Sequence, residues 1–133
     1  MNLLHDFARR YTSAWCSQNA ASVAAFFAFD GSLQVNDGPA AVGRPAITAV
    51  ARGFMTDFPD LKVSMDALVE TGEQSTVDHW TLDGHHAATN RHVRVSGFEE
   101  WTIGDDGLIA ESKGHFDSAE YQKQISGIDS AGA

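Results

Sequence analysis

The chain has 133 residues, 43% of them hydrophobic, enough for one core and too few for two domains. Nine Lys and Arg against eighteen Asp and Glu leave a net charge of -9 with no basic run, which argues against a phosphate-tracking surface and so against nucleic acid as a partner. Cys16 is the lone cysteine, which rules out an internal disulfide or a cysteine-based zinc site, and the longest apolar stretch, around residues 23–29, is too short to span a membrane.

The N-terminus MNLLHDFARRY interrupts any apolar run that a secretion signal would need, so a cytoplasmic address is expected. Leu3, Leu4, Phe7, Tyr11, Ala14 and Trp15 recur at helical spacing and predict a first helix over residues 3–18, with Asn2 available as its cap. A short second helix is predicted over 21–29, burying Val23, Phe26 and Phe27, and a brief strand over 32–35. Asn36-Asp37-Gly38-Pro39 is a turn signal. Gly43-Arg44-Pro45 opens a third helix whose buried stripe is Ile47, Val50, Ala51, Phe54 and Phe58, and Pro59 ends it.

Beyond Pro59 the period changes from helix to strand. Leu61, Val63 and Met65 alternate with polar residues, and further strands are predicted over 74–82, 91–103 and 108–116. Gly97 is expected to mark a bulge or bend in the longest of them, and Gly104-Asp105-Asp106-Gly107 a hairpin turn. A helix from Ser118 to about Ile125 closes the domain, which covers residues 1–126; the small-residue tail 127–133 is expected to be flexible. Helices first and a strand meander second predict an α+β fold, a strongly curved, antiparallel-rich sheet wrapped around the helices with a concavity at its mouth.

Several short motifs then match a family in order and spacing. Phe58-Pro59-Asp60-Leu61, Trp80 followed by Gly84-His85-His86, the segment Ala88-Thr89-Asn90-Arg91, and Asp106-Gly107-Leu108-Ile109-Ala110-Glu111 followed by Asp117 together resemble the SnoaL-like branch of the NTF2-like superfamily. The resemblance covers about residues 7–124. It implies a cone-shaped, cystatin-like roll with an apolar pocket and cofactor-free acid/base chemistry of the aldol-cyclisation or isomerisation type. Some relatives are pure binding or interaction modules, so a non-catalytic carrier is the alternative. The loop between His86 and Arg91 is shorter than the family's, and Asn90 replaces a glycine there; Asn tolerates the left-handed backbone such a turn uses.

The resemblance maps the family's acid/base residue onto Asp117. The residues alone also allow Asp117, with Glu120 three positions on, to be a helix cap. His86 matches the family's Gly-x-His and could polarise a carbonyl. Strand alternation puts Glu99, not Glu100, on the face of Trp101, and Glu99 resembles in position the acidic oxyanion donor of ketosteroid isomerases; the bland reading is a solvated strand charge. The isomerase base would align with Val35, or with Asp37 after an insertion. Tyr11, Trp15, Phe54, Phe58, Trp80 and Trp101 are candidates to line the pocket, though core packing explains any one of them. No chelating histidine pattern occurs, so no metal is expected, and the resemblance implies no cofactor. The expected ligand is an apolar small molecule. Apolar residues on both faces of the strands lead to the expectation of a homodimer through the outer sheet face.

Overall fold

The computed structural model describes residues 3–127. In chain order it has α1 (Leu3–Trp15), α2 (Ala20–Ala24), β1 (Phe27–Val35), β2 (Ala41–Val42), α3 (Arg44–Asp57), β3 (Lys62–Glu70), β4 (Ser75–His85), β5 (His92–Ile103), β6 (Ile109–Phe116) and α4 (Ser118–Ser126). One six-stranded sheet runs β2-β1-β6-β5-β4-β3. The four long strands β3 to β6 form an antiparallel meander, and β1 joins it parallel to β6. This is the mixed, curved α+β sheet that the change of period predicts.

The helices fill its concave side. Ala8, Tyr11 and Ala14 of α1 and Ile47, Ala51 and Met55 of α3 are buried at the spacing of one helical face. They meet Leu33 of β1, Leu82 of β4, Val93 and Trp101 of β5 and Ile109 of β6 in a single core. Pro45 sits in the first turn of α3 and Gly43 precedes it at φ 89°, a backbone that a side chain would strain.

Two local expectations are corrected. Residues 21–29 do not form one helix: α2 stops at Ala24, and Phe27 already lies in β1, paired with Ile109. A short apolar run suits a buried helix or a buried strand equally, and pairing with β6 decides between them. Gly97 marks no bulge. The β4/β5 register passes through it without a shift, the β5/β6 pairing ends at it, and the irregularities lie at Met65/Ala67, Phe27/Ser32 and Thr102/Ile103. A Cβ at position 97 would collide with the carbonyl oxygen of His115 and approach the Trp80 ring to 2.7 Å. The glycine is there for close approach.

Asp60 accepts the backbone N–H of His85 at 2.7 Å and meets its ring Nδ1 at 2.7 Å, tying the end of α3 to the end of β4. Asn90 takes the left-handed backbone at φ 59°. The Asn2 cap and residues 128–133 of the expected tail lie outside the described residues. Among the described residues, no helix is long and apolar enough to cross a membrane.

Candidate active site

Strand alternation decides which side chains enter the cone. Asp78, Trp80 and Leu82 on β4, Val95 and Glu99 on β5, and Gly114 and Phe116 on β6 share the concave side and border one cavity. Tyr11, Thr12 and Trp15 of α1, Phe54 of α3 and Tyr121 of α4 close it from the helical side. Its volume is about 70 Å³, room for a few water molecules. The wall is nearly all apolar, and among the described residues that line it none is Lys, Arg or His.

Two carboxyl groups interrupt that wall. Asp78 and Glu99 stand directly opposite each other in the β4/β5 ladder, which makes their side chains neighbours on one face. They are 2% and 7% exposed, a degree of burial that carboxylates tolerate only with partners or with a retained proton. Their surroundings differ. Glu99 Oε1 accepts O–H from Ser112 at 2.7 Å and from Tyr11 at 2.9 Å, and the indole N–H of Trp101 lies 3.4 Å away. Asp78 Oδ1 is buried and has no partner.

The electrostatics follow from that asymmetry. Burial raises the Glu99 carboxyl above its ordinary range, and the donors from Ser112, Tyr11 and Trp101 pull it back. Burial, then the charge of Glu99, then that of Asp66 push Asp78 up to about 8. Glu99 is therefore the member equipped to be the anion, and Asp78 the member that keeps a proton at neutral pH. Burial, reinforced by the Glu99 charge, raises the Tyr11 phenol well above its usual value and keeps it a donor. The Trp15 indole N–H opposes that rise from nearby, yet it makes no hydrogen bond of good geometry and is, among the described residues, the other unpartnered buried side-chain polar atom.

The structure sorts the candidates into three groups. Glu99, Tyr11, Trp15, Phe54 and Trp80 come together around the cavity. Phe58 and Trp101 do not line it: both are core residues, Phe58 against Tyr121 and Trp101 against Phe7 and Tyr11, and Trp101 reaches the site only through its N–H to Glu99. His86 and Asp117 lie outside it. His86 follows the end of β4, edge-on to the Phe58 ring at 5.5 Å, with Nδ1 accepting the Ala88 N–H at 3.2 Å. Asp117 is exposed and caps α4, accepting the Glu120 N–H at 3.0 Å.

The helix cap is thus the role the geometry gives Asp117, because the backbone at the start of α4 turns its carboxylate toward the helix end and away from the cone. Asp117→Ala is expected to cost about 1 kcal/mol in denaturant unfolding, and Asp117→Asn a few tenths, with ligand binding unchanged in both. A loss of ligand binding in Asp117→Asn would return this residue to the site. Asp78 is the residue that motif reading misses. Its signal was present: it shares strand parity with Trp80 and Leu82, and a charge on an apolar parity is unusual.

The model of the SnoaL-like domain matches residues 8–112, most of the chain. The chain belongs to the SnoaL-like family. Solved structures agree on the fold of this SnoaL-like domain. A protein of ketosteroid isomerase-like fold from Catenulispora acidiphila, solved in complex with trimethylamine, superposes with a TM-score of 0.82 at 14% identity, covering 91% of this chain and 92% of that one. An NTF2-like protein of unknown function from Burkholderia pseudomallei gives 0.82 at 20% identity, covering 95% and 99%. A Jannaschia protein with the provisional name of a SnoaL-like polyketide cyclase gives 0.77 at 15% identity, covering 97% and 98%. At these identities the likeness speaks for the fold alone. A search of curated proteins returns no significant match.

Proposed function

We propose that this SnoaL-like domain is an acid/base enzyme acting on a small, apolar carbonyl compound. The observation that carries the reading is the Asp78–Glu99 pair, buried opposite one another on the wall of an apolar cavity, one carboxyl supplied with three donors and the other with an unpartnered oxygen. Glu99 takes a proton from the carbon next to the carbonyl. The C–H electron pair moves into the C–C bond and the carbonyl π pair onto oxygen, where protonated Asp78 donates a hydrogen bond to the developing enolate. Return of the proton to a second carbon completes an isomerisation; attack of the enolate carbon on an internal carbonyl completes an aldol closure. Cofactor-free chemistry remains the proposal.

Deuterium exchange at the α-carbon of cyclohexanone, and migration of the double bond of 3-cyclohexen-1-one into conjugation, test this reading by NMR. The wild type is expected to accelerate both over buffer. The rate should follow a bell in pH: the acidic limb is the ionisation of Glu99, raised above the ordinary carboxylate range, and the alkaline limb falls near 8 as Asp78 loses its proton. A rate that climbs through pH 9 without a plateau would exclude Asp78 as the acid.

The second reading is a small-ligand carrier. An unpartnered buried carboxyl oxygen amid Trp15, Trp80, Phe54 and Phe116 also suits an alkylammonium ion, and the Catenulispora neighbour was solved with trimethylamine. Calorimetric binding of trimethylammonium chloride with no proton exchange on either ketone would favour the carrier.

Assembly is part of the proposal. Phe98 stacks on His115 at 4.8 Å and lies 5.9 Å from His79, a half-buried aromatic group on the sheet face opposite the helices. A homodimer through this face is expected, with light scattering at micromolar concentration giving twice the chain mass and Phe98→Glu giving the chain mass. A monomeric wild type would refute it.

A further inference from the structure

Asp78 and Glu99 meet the same cavity from facing ladder positions, and burial opposes charge on both. What separates them is the donors each meets, and Ser112 makes the shortest of these bonds, 2.7 Å to Glu99 Oε1. Ser112 has no exposed surface. It faces Trp101 in the β5/β6 ladder, so the backbone pairing of the sheet holds its hydroxyl in place whether or not a ligand is bound. A buried hydroxyl on the apolar parity of a strand has a cost unless it is bonded, and its bond goes to the carboxyl that the chemistry needs as an anion.

We propose that Ser112 is a positioning residue that assigns the single proton of the pair: its O–H holds Glu99 as the carboxylate and so leaves the proton on Asp78. The inference rests on the acid/base reading above and deepens it by naming the residue that divides the roles. Because Ser112, Tyr11 and Trp101 all use Oε1, Oε2 is left for the substrate proton. Tyr11 consequently donates its hydrogen bond to Glu99 and not to the substrate oxygen.

The groups that bear on the pair come from every element packed around it. Tyr11 approaches from α1, Ser112 from β6 and Trp101 along β5, while Asp66 on β3 adds a further negative charge to the field at Asp78. Tyr121 of α4 borders the same cavity; burial and the charge of Asp57 push it up to about 12, so it stays neutral. No cation lines the cavity among the described residues, so hydrogen bonds and not an ion pair decide which carboxyl ionises first.

The test is carboxyl-carbon NMR titration of the ligand-free protein as wild type, Ser112→Ala and Tyr11→Phe. In the wild type Glu99 is expected to ionise at lower pH than Asp78. In Ser112→Ala the Glu99 midpoint should rise by about one pH unit or more, and the Asp78 midpoint should fall as Glu99 stays neutral longer, so that the gap closes or inverts. Tyr11→Phe should move Glu99 the same way by less. Ser112→Cys, a weaker donor of similar size, gives the intermediate shift and serves as the test if the alanine variant does not fold. A Glu99 midpoint that stays within a few tenths of a unit in Ser112→Ala or Ser112→Cys overturns the proposal, as does Asp78 ionising first in the wild type. Failure of the acid/base reading looks different: the wild type exchanges no α-protons, whatever the carboxyl titrations show.

Discussion

Asp78→Asn is expected to make the protein more stable by about 2 kcal/mol at pH 7 and to slow α-proton exchange, since a carboxamide N–H donates more weakly than a carboxylic acid. The native state holds Asp78 with its carboxyl pushed up to about 8, while the unfolded chain releases that proton near the ordinary Asp value of 3.8. Between those two pH values the native state binds a proton that the unfolded state has lost, so stability falls as pH rises through the window. At pH 7 the part of that window already crossed corresponds to an upper bound on the order of 4 kcal/mol. The buried amide of the variant forgoes hydrogen bonds worth about 2 kcal/mol of that. The gain should grow from pH 5 to pH 8, because the wild type has the slope and the variant lacks it. Urea unfolding at several pH values reads this directly. An Asn variant equal to or less stable than the wild type at pH 8 would show that Asp78 is not held protonated against its surroundings. A residue that destabilises the fold and lines a cavity is the pattern expected of a functional group.

Glu99 should behave in the opposite way. Replacing it by Leu removes the acceptor for Ser112, Tyr11 and Trp101 and leaves buried donors without a partner. Each orphaned donor costs about 1–3 kcal/mol, so Glu99→Leu is expected to lose at least about 3 kcal/mol, a large part of the stability of a small domain. Glu99→Gln keeps a carbonyl oxygen for the same donors and should unfold within about 1 kcal/mol of the wild type. It can no longer accept a proton, so its exchange rate should fall by roughly 10²- to 10⁴-fold. The comparison isolates chemistry from folding in one position. If the Leu and Gln variants unfold at the same urea concentration, the donors find other partners and the network has no energetic weight.

A family-like position can also carry a structural part within a shared fold. Asp117 and His86 sit at family-like positions, yet the local backbone commits the first to a helix end and the second to a loop beside Phe58. The proposed chemistry rests instead on the facing positions of β4 and β5. Function travels with the site and not with the fold, and the site here is read from burial and hydrogen bonds.

By itself the sequence determined the elements and their faces. Helical spacing of Tyr11, Ala14 and Ile47, Ala51 set the buried stripes, Pro59 separated the helices from the meander, and alternation put Glu99 with Trp101. These are short-range properties, carried by periods of 3.6 and 2 and by turn chemistry. Tertiary structure alone decided that residues 27–29 are strand, since pairing with β6 overrides a run that local propensity leaves open. It decided that Gly97 is needed for Trp80 and the His115 carbonyl, a contact between strands whose register no periodicity encodes. Above all it set Asp78 against Glu99 and left only one of them with donors. Alternation tells which way a side chain points but not what stands opposite, and the protonation of a buried carboxyl depends on what stands opposite.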